Sequence, residues 1–155
     1  MIALALLLLF AAPVDWAPHE AGKPIPAGAV RVADTGSLFV CRARLQDGIQ
    51  PGVTTGGPCL IPQKGKAEPF ETYEVAAGSG YTWRMGDWER AVVAGKQGRA
   101  SELYVCRAAV AGASGERVVA GGKAYRTGPH AGHCYVSHEG REVDVAGEFE
   151  LLVSK

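Results

Sequence analysis

The sequence predicts an all-β fold in which two pseudo-symmetric repeats form one compact β-sandwich. Residues 38–43 and 103–108 read Leu-Phe-Val-Cys-Arg-Ala and Leu-Tyr-Val-Cys-Arg-Ala, displaced by 65 positions (106 − 41), and such self-similarity indicates a repeat architecture. Apolar and polar residues alternate along both copies, as in a strand with one buried face. The 21 Gly and 9 Pro residues stand mostly between short apolar runs, which indicates many turns and few helices.

The same landmarks recur in order in both halves, which we assign to a first repeat over residues 16–80 and a second over residues 81–155. Each half has a leading Trp, an Ala-Val strand, a turn, the Cys-Arg-Ala strand, a cysteine-led strand and a closing strand. The cysteine-led strands are offset by 75 positions (134 − 59), so ten extra residues are expected between Val118 and His130. We match Pro51-Gly52 with Ser114-Gly115 as the turn that follows the Cys-Arg-Ala strand.

Residues 1–15 are predicted to be a leader and not part of the fold. The segment from Ile2 to Phe10 is an uninterrupted apolar run followed by two alanines, which is typical of a secretory signal. It is too short to span a hydrocarbon core of about 30 Å, so no transmembrane segment is expected. Because the segment has the features of a secretory signal, we expect a secreted or periplasmic protein. The alternative is that the segment forms a buried first strand or helix.

The cysteines favour two disulfides. An even number of cysteines behind an export signal suggests oxidation, and four cysteines allow three connectivities. The symmetry of the repeats favours Cys41–Cys59 and Cys106–Cys134, which pair the two cysteines of each repeat. The alternative is that all four remain reduced as small buried apolar residues.

The charge balance and the motifs exclude several classes of function. Sixteen basic and sixteen acidic residues leave no formal net charge, so a nucleic-acid partner is not expected. No nucleophile-elbow, zinc-protease or phosphate-loop motif is present, and we predict no enzymatic activity and no cofactor. Glu74 and Glu150 occupy equivalent places in the repeats and are expected to be structural partners of Arg42 and Arg107.

A metal site is not expected either. His130, His133, Cys134 and His138 have the chemistry of metal ligands. His133 and Cys134 are neighbours on a predicted strand, however, and neighbouring side chains point to opposite faces. They are therefore unsuited to sharing one ion.

The landmarks together resemble the DM-nine repeat family over about residues 16–153. The resemblance rests on the Trp-led start, Ala-Val, the Leu-Tyr-Val-Cys-Arg-Ala run, Pro-Gly, a cysteine-led strand, Gly-x-x-Glu or Gly-x-Glu and a closing Tyr-Glu-Val. That family includes tandem-repeat mannose-binding lectins, and natterin-like proteins carry the repeats in their N-terminal half. The resemblance implies a non-enzymatic, lectin-like module whose partner is a glycan or glycoconjugate with mannose-type sugars, and a homodimer is compatible with it. The alternative is a secreted interaction or structural domain that keeps the fold without a sugar site.

The resemblance also implies which positions bind sugar. In the lectin members, an acidic residue before the Cys-Arg-Ala strand and a lysine after Pro-Gly hold sugar hydroxyls through charge-assisted hydrogen bonds. The acid position corresponds to Asp34 in the first repeat and to Gln97 in the second. The lysine position corresponds to Val53 in the first repeat and to Glu116 in the second, so both repeats are expected to lack this lysine.

The first repeat is therefore expected to hold the better site, centred on Asp34 with Asp47 as the next candidate. Both lie in turns that flank the strand, where binding residues are often found. Trp88 has no counterpart in the first repeat and is the candidate for an exposed binding aromatic. Trp16 and Trp83 recur in both repeats and are expected to be scaffold. Without the lysine, binding is expected to be weak, about millimolar.

Overall fold

The computed structural model of the protein describes residues 14–99 and 101–155, which fold almost entirely into β-strands. The predicted leader lies outside the described residues up to position 13, and Asp15 opens the first strand. A single 3-10 turn, Trp88–Arg90, interrupts the strands in this part of the chain. The strands are β1 (Asp15–Glu20), β2 (Phe39–Leu45), β3 (Gly48–Thr54), β4 (Cys59–Gln63), β5 (Lys66–Phe70), β6 (Thr72–Ala77), β7 (Tyr81–Arg84), β8 (Val93–Gln97), β9 (Ser101–Ala111), β10 (Arg117–Ala124), β11 (His133–His138), β12 (Arg141–Ala146) and β13 (Glu150–Ser154).

The two halves of the chain have the same strand pairing. In the first half, β2 pairs with β3 and β6, β6 with β1, β3 with β4 and β4 with β5. In the second half, β9 pairs with β10 and β13, β13 with β7, β10 with β11 and β11 with β12. The Cys-Arg-Ala strands β2 and β9 therefore occupy equivalent places.

Strands from both halves join into a closed ring. β5 meets β12 at the pair formed by Lys66 and Arg141, and β8 pairs with both β3 and β9. As a result β3, β4, β5, β12, β11, β10, β9 and β8 form a closed, eight-stranded barrel flanked by the remaining strands. The all-β prediction is confirmed, but the expected sandwich is not clearly formed, because β8 links the two halves into one continuous sheet. In the described part of the chain, no helix has the length and apolar character needed to cross a membrane.

The apolar residues divide among three clusters. One surrounds the Cys41–Cys59 disulfide, a second surrounds the Cys106–Cys134 disulfide, and a third lies between the repeats and includes Val53. Both disulfides are those that the repeat symmetry favours. Each joins a Cys-Arg-Ala strand to the cysteine-led strand two places away in the sheet, with a Cα–Cα distance of 6.1 Å.

The strand registers correct the sequence alignment in one region. Gly52 lies opposite Cys41, and Gly122 lies opposite Cys106, so the two glycines are equivalent at an offset of 70 positions (122 − 52). Pro51-Gly52 is therefore inside β3 and matches residues 121–122, not the turn at Ser114-Gly115. The ten extra residues are divided: five lengthen the β9–β10 hairpin and five lengthen the loop between β10 and β11.

Close packing of neighbouring strands explains the two equivalent glycines. A Cβ at Gly52 would lie 2.1 Å from the carbonyl oxygen of Leu60, and a Cβ at Gly122 would lie 1.8 Å from that of Tyr135. Glycine in a strand commonly marks such a close backbone approach. Because a side chain would not fit at these two positions, the glycines fix the register of their strands. The register in turn determines where the residue after each glycine lies.

The arginines of the Cys-Arg-Ala strands connect the repeats. Arg42 donates to Glu74 at 3.0 Å within its own repeat and to the carbonyl of Ala94 at 2.8 Å in the other repeat. Its guanidinium lies 4.2 Å from the ring centre of Trp16, a cation–π contact. The expected pairing of the strand arginines with Glu74 and Glu150 is confirmed.

Arg107 makes the equivalent contacts with Glu150 at 3.0 Å, the carbonyl of Val32 at 2.9 Å and the ring of Trp83 at 4.8 Å.

We expect Arg107→Ala to lower the free energy of unfolding by about 1.5 kcal/mol, because the Val32 carbonyl and Glu150 lose a charged donor. Urea unfolding measures the change, with Arg44→Ala on the exposed face of β2 as the control that should leave stability unchanged. Loss of ligand binding at an unchanged melting temperature would contradict this structural role.

Candidate functional site

The residue after the equivalent glycine is Val53 in the first repeat and Lys123 in the second. Val53 is buried in the central apolar cluster. Lys123 is also buried, with 4% of its surface exposed, and its Nζ donates at 2.6 Å to Oε1 of the fully buried Gln50. The lysine that the resemblance places after the glycine is therefore present in the second repeat. The sequence alignment missed it because it put Glu116 at this position.

Lys123 is an energetically costly group to bury. An ammonium carries three donors, and Gln50 is its one hydrogen-bond partner in the part of the chain that the structure describes. Burial lowers the pKa of Lys123, and the negative charges of Glu142 and Asp47 offset part of that shift. A buried cation with unfilled donors opposes folding, and titratable groups of this kind concentrate at functional sites.

Polar groups from both repeats surround this lysine. Nε2 of Gln50 donates to Oδ1 of Asp47 at 3.3 Å. The pairing of β3 with β8 places Gly48 opposite Gln97. The structure therefore brings Asp47 and Gln97, two of the residues predicted from the sequence, to one junction between the repeats. We call Gln50, Lys123, Asp47 and Gln97 the lysine site.

Tyr125 borders the lysine site. Its hydroxyl donates to Oε1 of Gln97, which leaves the amide nitrogen of Gln97 as a donor for a ligand. Burial, with the neighbouring Tyr135, Glu142 and Asp47, raises the pKa of Tyr125 to about 12. The phenol is therefore a neutral donor at physiological pH. It fixes the orientation of the Gln97 side chain.

Asp34, the predicted centre of the first-repeat site, lies apart from Lys123. It is exposed and lines a surface cleft of about 500 Å³ together with Arg31, Trp83 and Lys155. The structure does not bring it together with Asp47. Asp34 is therefore a candidate for a separate site.

Glu116 and Trp88 are also placed away from the lysine site. Glu116 is in the β9–β10 turn, where its carboxylate accepts a hydrogen bond from the N–H of Ser114 at 2.9 Å. Trp88 is half-buried and packs edge-on against Tyr104, with ring centres 5.1 Å apart. Of the five predicted binding residues, Asp47 and Gln97 lie at the junction beside Lys123, and the other three do not.

Sequence reasoning missed Gln50, Lys123 and Tyr125. The Gly-Gly-Lys run that ends at Lys123 could have indicated this lysine, because its two glycines occupy the strand positions equivalent to Pro51-Gly52. Gln50 gives no signal, since a single glutamine in a strand is ordinarily solvent-exposed.

His133 donates to Asp144 at 2.7 Å, and no cluster of three His, Cys, Asp or Glu side chains suited to a metal ion occurs among the described residues.

Comparison with known proteins is consistent with the repeat architecture. The crystal structure of the nematode sperm cell motility protein MFP2B is similar, with a TM-score of 0.67 and 14% identity over 93% of this chain and 45% of that chain. This chain thus spans less than half of that protein, and the likeness concerns the fold alone. No curated protein matches the chain. The DM9 repeat profile matches residues 32–124, which is more than half of the sequence, and the chain therefore belongs to the DM9 repeat family.

Proposed function

We propose that this protein is a non-enzymatic carbohydrate-binding module whose site is centred on Lys123. One observation carries the proposal: an ammonium that is 4% exposed, bound to one neutral amide, beside side chains contributed by both repeats. A ligand with several oxygen atoms would fill the remaining donors of Lys123. Membership of a family that includes mannose-binding lectins supports a mannose-type sugar.

The mixture of donors and acceptors favours a neutral sugar. Each sugar hydroxyl both donates and accepts, and the lysine site offers donors on Lys123 and Gln97 and an acceptor on Asp47. The carboxylate of Glu142, whose charge also acts on Lys123, is a second acceptor beside the site. The two carboxylates outnumber the single cation. A sugar acid or sugar phosphate would therefore meet like charge, which disfavours binding.

One such site is expected in each chain. The equivalent position in the first repeat offers no hydrogen-bonding group, because Val53 is apolar and packs so near β10 that a Cβ at Gly121 would lie 2.8 Å from its Cγ1. The counterpart of Gln50 is Ala120, which offers no polar atom on its side chain. With one small site per chain, useful retention on a glycan surface would come from several copies acting together.

A secreted or periplasmic location fits this function. Cys41–Cys59 and Cys106–Cys134 are both oxidised in the structure, and stable disulfides are typical of extracellular and periplasmic proteins. Glycans on cell surfaces and in secretions are present in the same compartments.

We expect Lys123→Met to weaken binding of D-mannose at least about tenfold, because the change removes a charge-assisted hydrogen bond while keeping an unbranched side chain of similar length. NMR titration of labelled protein with D-mannose, D-glucose and D-galactose measures it, with glucuronate as the anionic sugar expected not to bind. Asp34→Ala and Glu116→Ala are the controls and should bind as the wild type does.

Two results would contradict the proposal. Binding that survives Lys123→Met but is lost in Asp34→Ala would place the site in the Asp34 cleft. The absence of binding by the wild type to any neutral hexose at millimolar concentration would remove the sugar-binding function itself.

A further inference from the structure

Beside Lys123 lies a group of four rings, Tyr125, His130, His133 and Tyr135, which we call the ring cluster. Tyr135 of β11 is directly opposite Lys123 of β10, and residues directly opposite each other share one face of a sheet. Tyr125 connects the ring cluster to the lysine site, since its hydroxyl binds Gln97 while its ring lies 5.1 Å from that of His130. The ring cluster is therefore continuous with the lysine site.

The rings are held in place by one another and by hydrogen bonds. His133 and Tyr135 are nearly parallel, at 18° with centres 5.8 Å apart, and His130 meets Tyr135 edge-on at 5.5 Å. A hydrogen bond of 2.8 Å joins Nδ1 of His130 to the Tyr135 hydroxyl, and Nδ1 of His133 donates to Asp144 at 2.7 Å. These contacts within the protein fix the orientation of the ring edges.

Packing of the core does not account for these rings. None of the four is among the residues that build or line the three apolar clusters of the described chain. Tyr125 is buried, with 7% of its surface exposed, whereas His130 is exposed and His133 and Tyr135 are half-exposed. Exposed rings that are ordered by polar contacts, as these three are, are typical of a binding surface.

The first repeat lacks the ring cluster as well as the lysine. Leu60 pairs with Pro69 in the first repeat as Tyr135 pairs with Asp144 in the second. His130 lies in the five-residue extension of the β10–β11 loop and has no counterpart. The shared fold therefore forms without rings at these positions, and the rings occur together with Lys123 in the same repeat.

We propose that the ring cluster is a second subsite, which receives the sugar residue next to the one held by Lys123. The preferred ligand is then a neutral oligosaccharide of at least two pyranose residues. This inference rests on the proposed function of the lysine site. Neighbouring strands are about 4.8 Å apart, a distance comparable to the width of one pyranose. A sugar at Lys123 thus places its neighbour over Tyr135 and His133, with Asp144 as an acceptor for its hydroxyls.

The chemistry of the cluster suits a sugar ring better than a charged group. The C–H bonds of a pyranose carry small positive charge and pack against the electron-rich faces of aromatic rings. The hydroxyls of the same sugar can reach the imidazole nitrogens and the Asp144 carboxylate. Discrimination between linkages would follow from the fixed position of His130.

The test compares monosaccharides with their disaccharides. D-mannose, D-glucose and D-galactose are titrated by NMR against mannobioses, cellobiose and lactose, in the wild type and in Tyr135→Leu, which introduces the residue found at the equivalent place in the first repeat. We expect at least one disaccharide to bind the wild type about fivefold more tightly than its monosaccharide. Tyr135→Leu and the loop variant His130→Ala should lose this preference while keeping the monosaccharide affinity, and Met85→Ala, at a residue 62% exposed, should change neither.

The possible failures can be told apart. If the wild type binds a monosaccharide in a Lys123-dependent way but binds no disaccharide more tightly, the second subsite is wrong and the lysine site stands. The second subsite is equally wrong if Tyr135→Leu and His130→Ala both keep the disaccharide preference. If no sugar binds the wild type, or if Lys123→Met leaves sugar binding unchanged, the proposed function is wrong and the subsite with it.

Discussion

Replacing Gln50 and Lys123 together by apolar residues of similar size, in Gln50→Leu/Lys123→Met, is expected to stabilise the protein and to abolish sugar binding. Exchanging a buried ionic group and its partner for well-packed apolar side chains is often neutral or stabilising by about 1–4 kcal/mol. The pseudo-symmetric positions already accommodate apolar residues, since Ala120 and Val53 stand there and are buried. We expect a gain of about 2 kcal/mol, or roughly 5 °C in melting temperature for a chain of this size.

The single variants separate the two contributions. Lys123→Met alone removes the cation but leaves Oε1 of Gln50 buried without its donor, at a cost of about 1–3 kcal/mol. Gln50→Leu alone leaves the ammonium of Lys123 without its one protein acceptor in the described chain. A double-mutant cycle should therefore show strong coupling between the two positions. A double variant less stable than the wild type would show that Lys123 stabilises the folded state.

The stability difference between the wild type and Gln50→Leu/Lys123→Met depends on pH. Burial lowers the pKa of Lys123 in the folded protein below its ordinary value of 10.5, so between these two values the unfolded chain binds more protons than the folded one. The stability of the wild type then rises with pH in this window. The advantage of Gln50→Leu/Lys123→Met is complete below the lowered pKa and shrinks as the pH approaches 10.5. Melting curves of both proteins from about pH 7 to about pH 10 measure it, and a constant difference would contradict a lowered pKa.

Much of the fold follows from the repeated motif. Arg42 and Cys41 are neighbours on one strand, so alternation alone predicts that the arginine leaves the face that buries the cysteine. The pairing of Cys41 with Cys59 was predictable because both cysteines of a pair lie within one repeat. Closure of the barrel was not predictable in this way. It depends on β8, a five-residue strand that pairs with β3 of the other repeat, and no local pattern in the sequence specifies that partner.

The lysine site was predicted in part. Asp47 and Gln97 were recognised as turn residues near the Cys-Arg-Ala strands, but turn chemistry does not show that β3 and β8 bring them together. Lys123 was missed because the ten extra residues of the second repeat were assigned to a single loop. The correct register becomes visible only when Gly122 is seen opposite Cys106. A one-residue change in strand register moves a side chain to the other face, so small alignment errors are enough to lose a binding residue.

Removing the Cys106–Cys134 disulfide is expected to have the largest effect on stability. The bridge closes a segment of 28 residues, and the chain-entropy model assigns about 3.6 kcal/mol to a loop of this length. Both cysteines are fully buried within the second-repeat cluster, so alanine at both positions also removes apolar contacts. We therefore expect Cys106→Ala/Cys134→Ala to lower the free energy of unfolding by at least about 3 kcal/mol, or roughly 10 °C in melting temperature.

The first-repeat disulfide provides the matched comparison. Cys41–Cys59 closes 18 residues, for which the same model gives about 3.2 kcal/mol, so Cys41→Ala/Cys59→Ala should destabilise almost equally in urea unfolding without reductant. Sugar binding should respond differently. Cys106 lies opposite Gly122 and Cys134 opposite Ala124, so the second bridge braces the strand on both sides of Lys123, and its loss should weaken binding more than loss of the first. Equal stability of the wild type with and without dithiothreitol, at full reduction of four thiols, would show that neither bridge stabilises the fold.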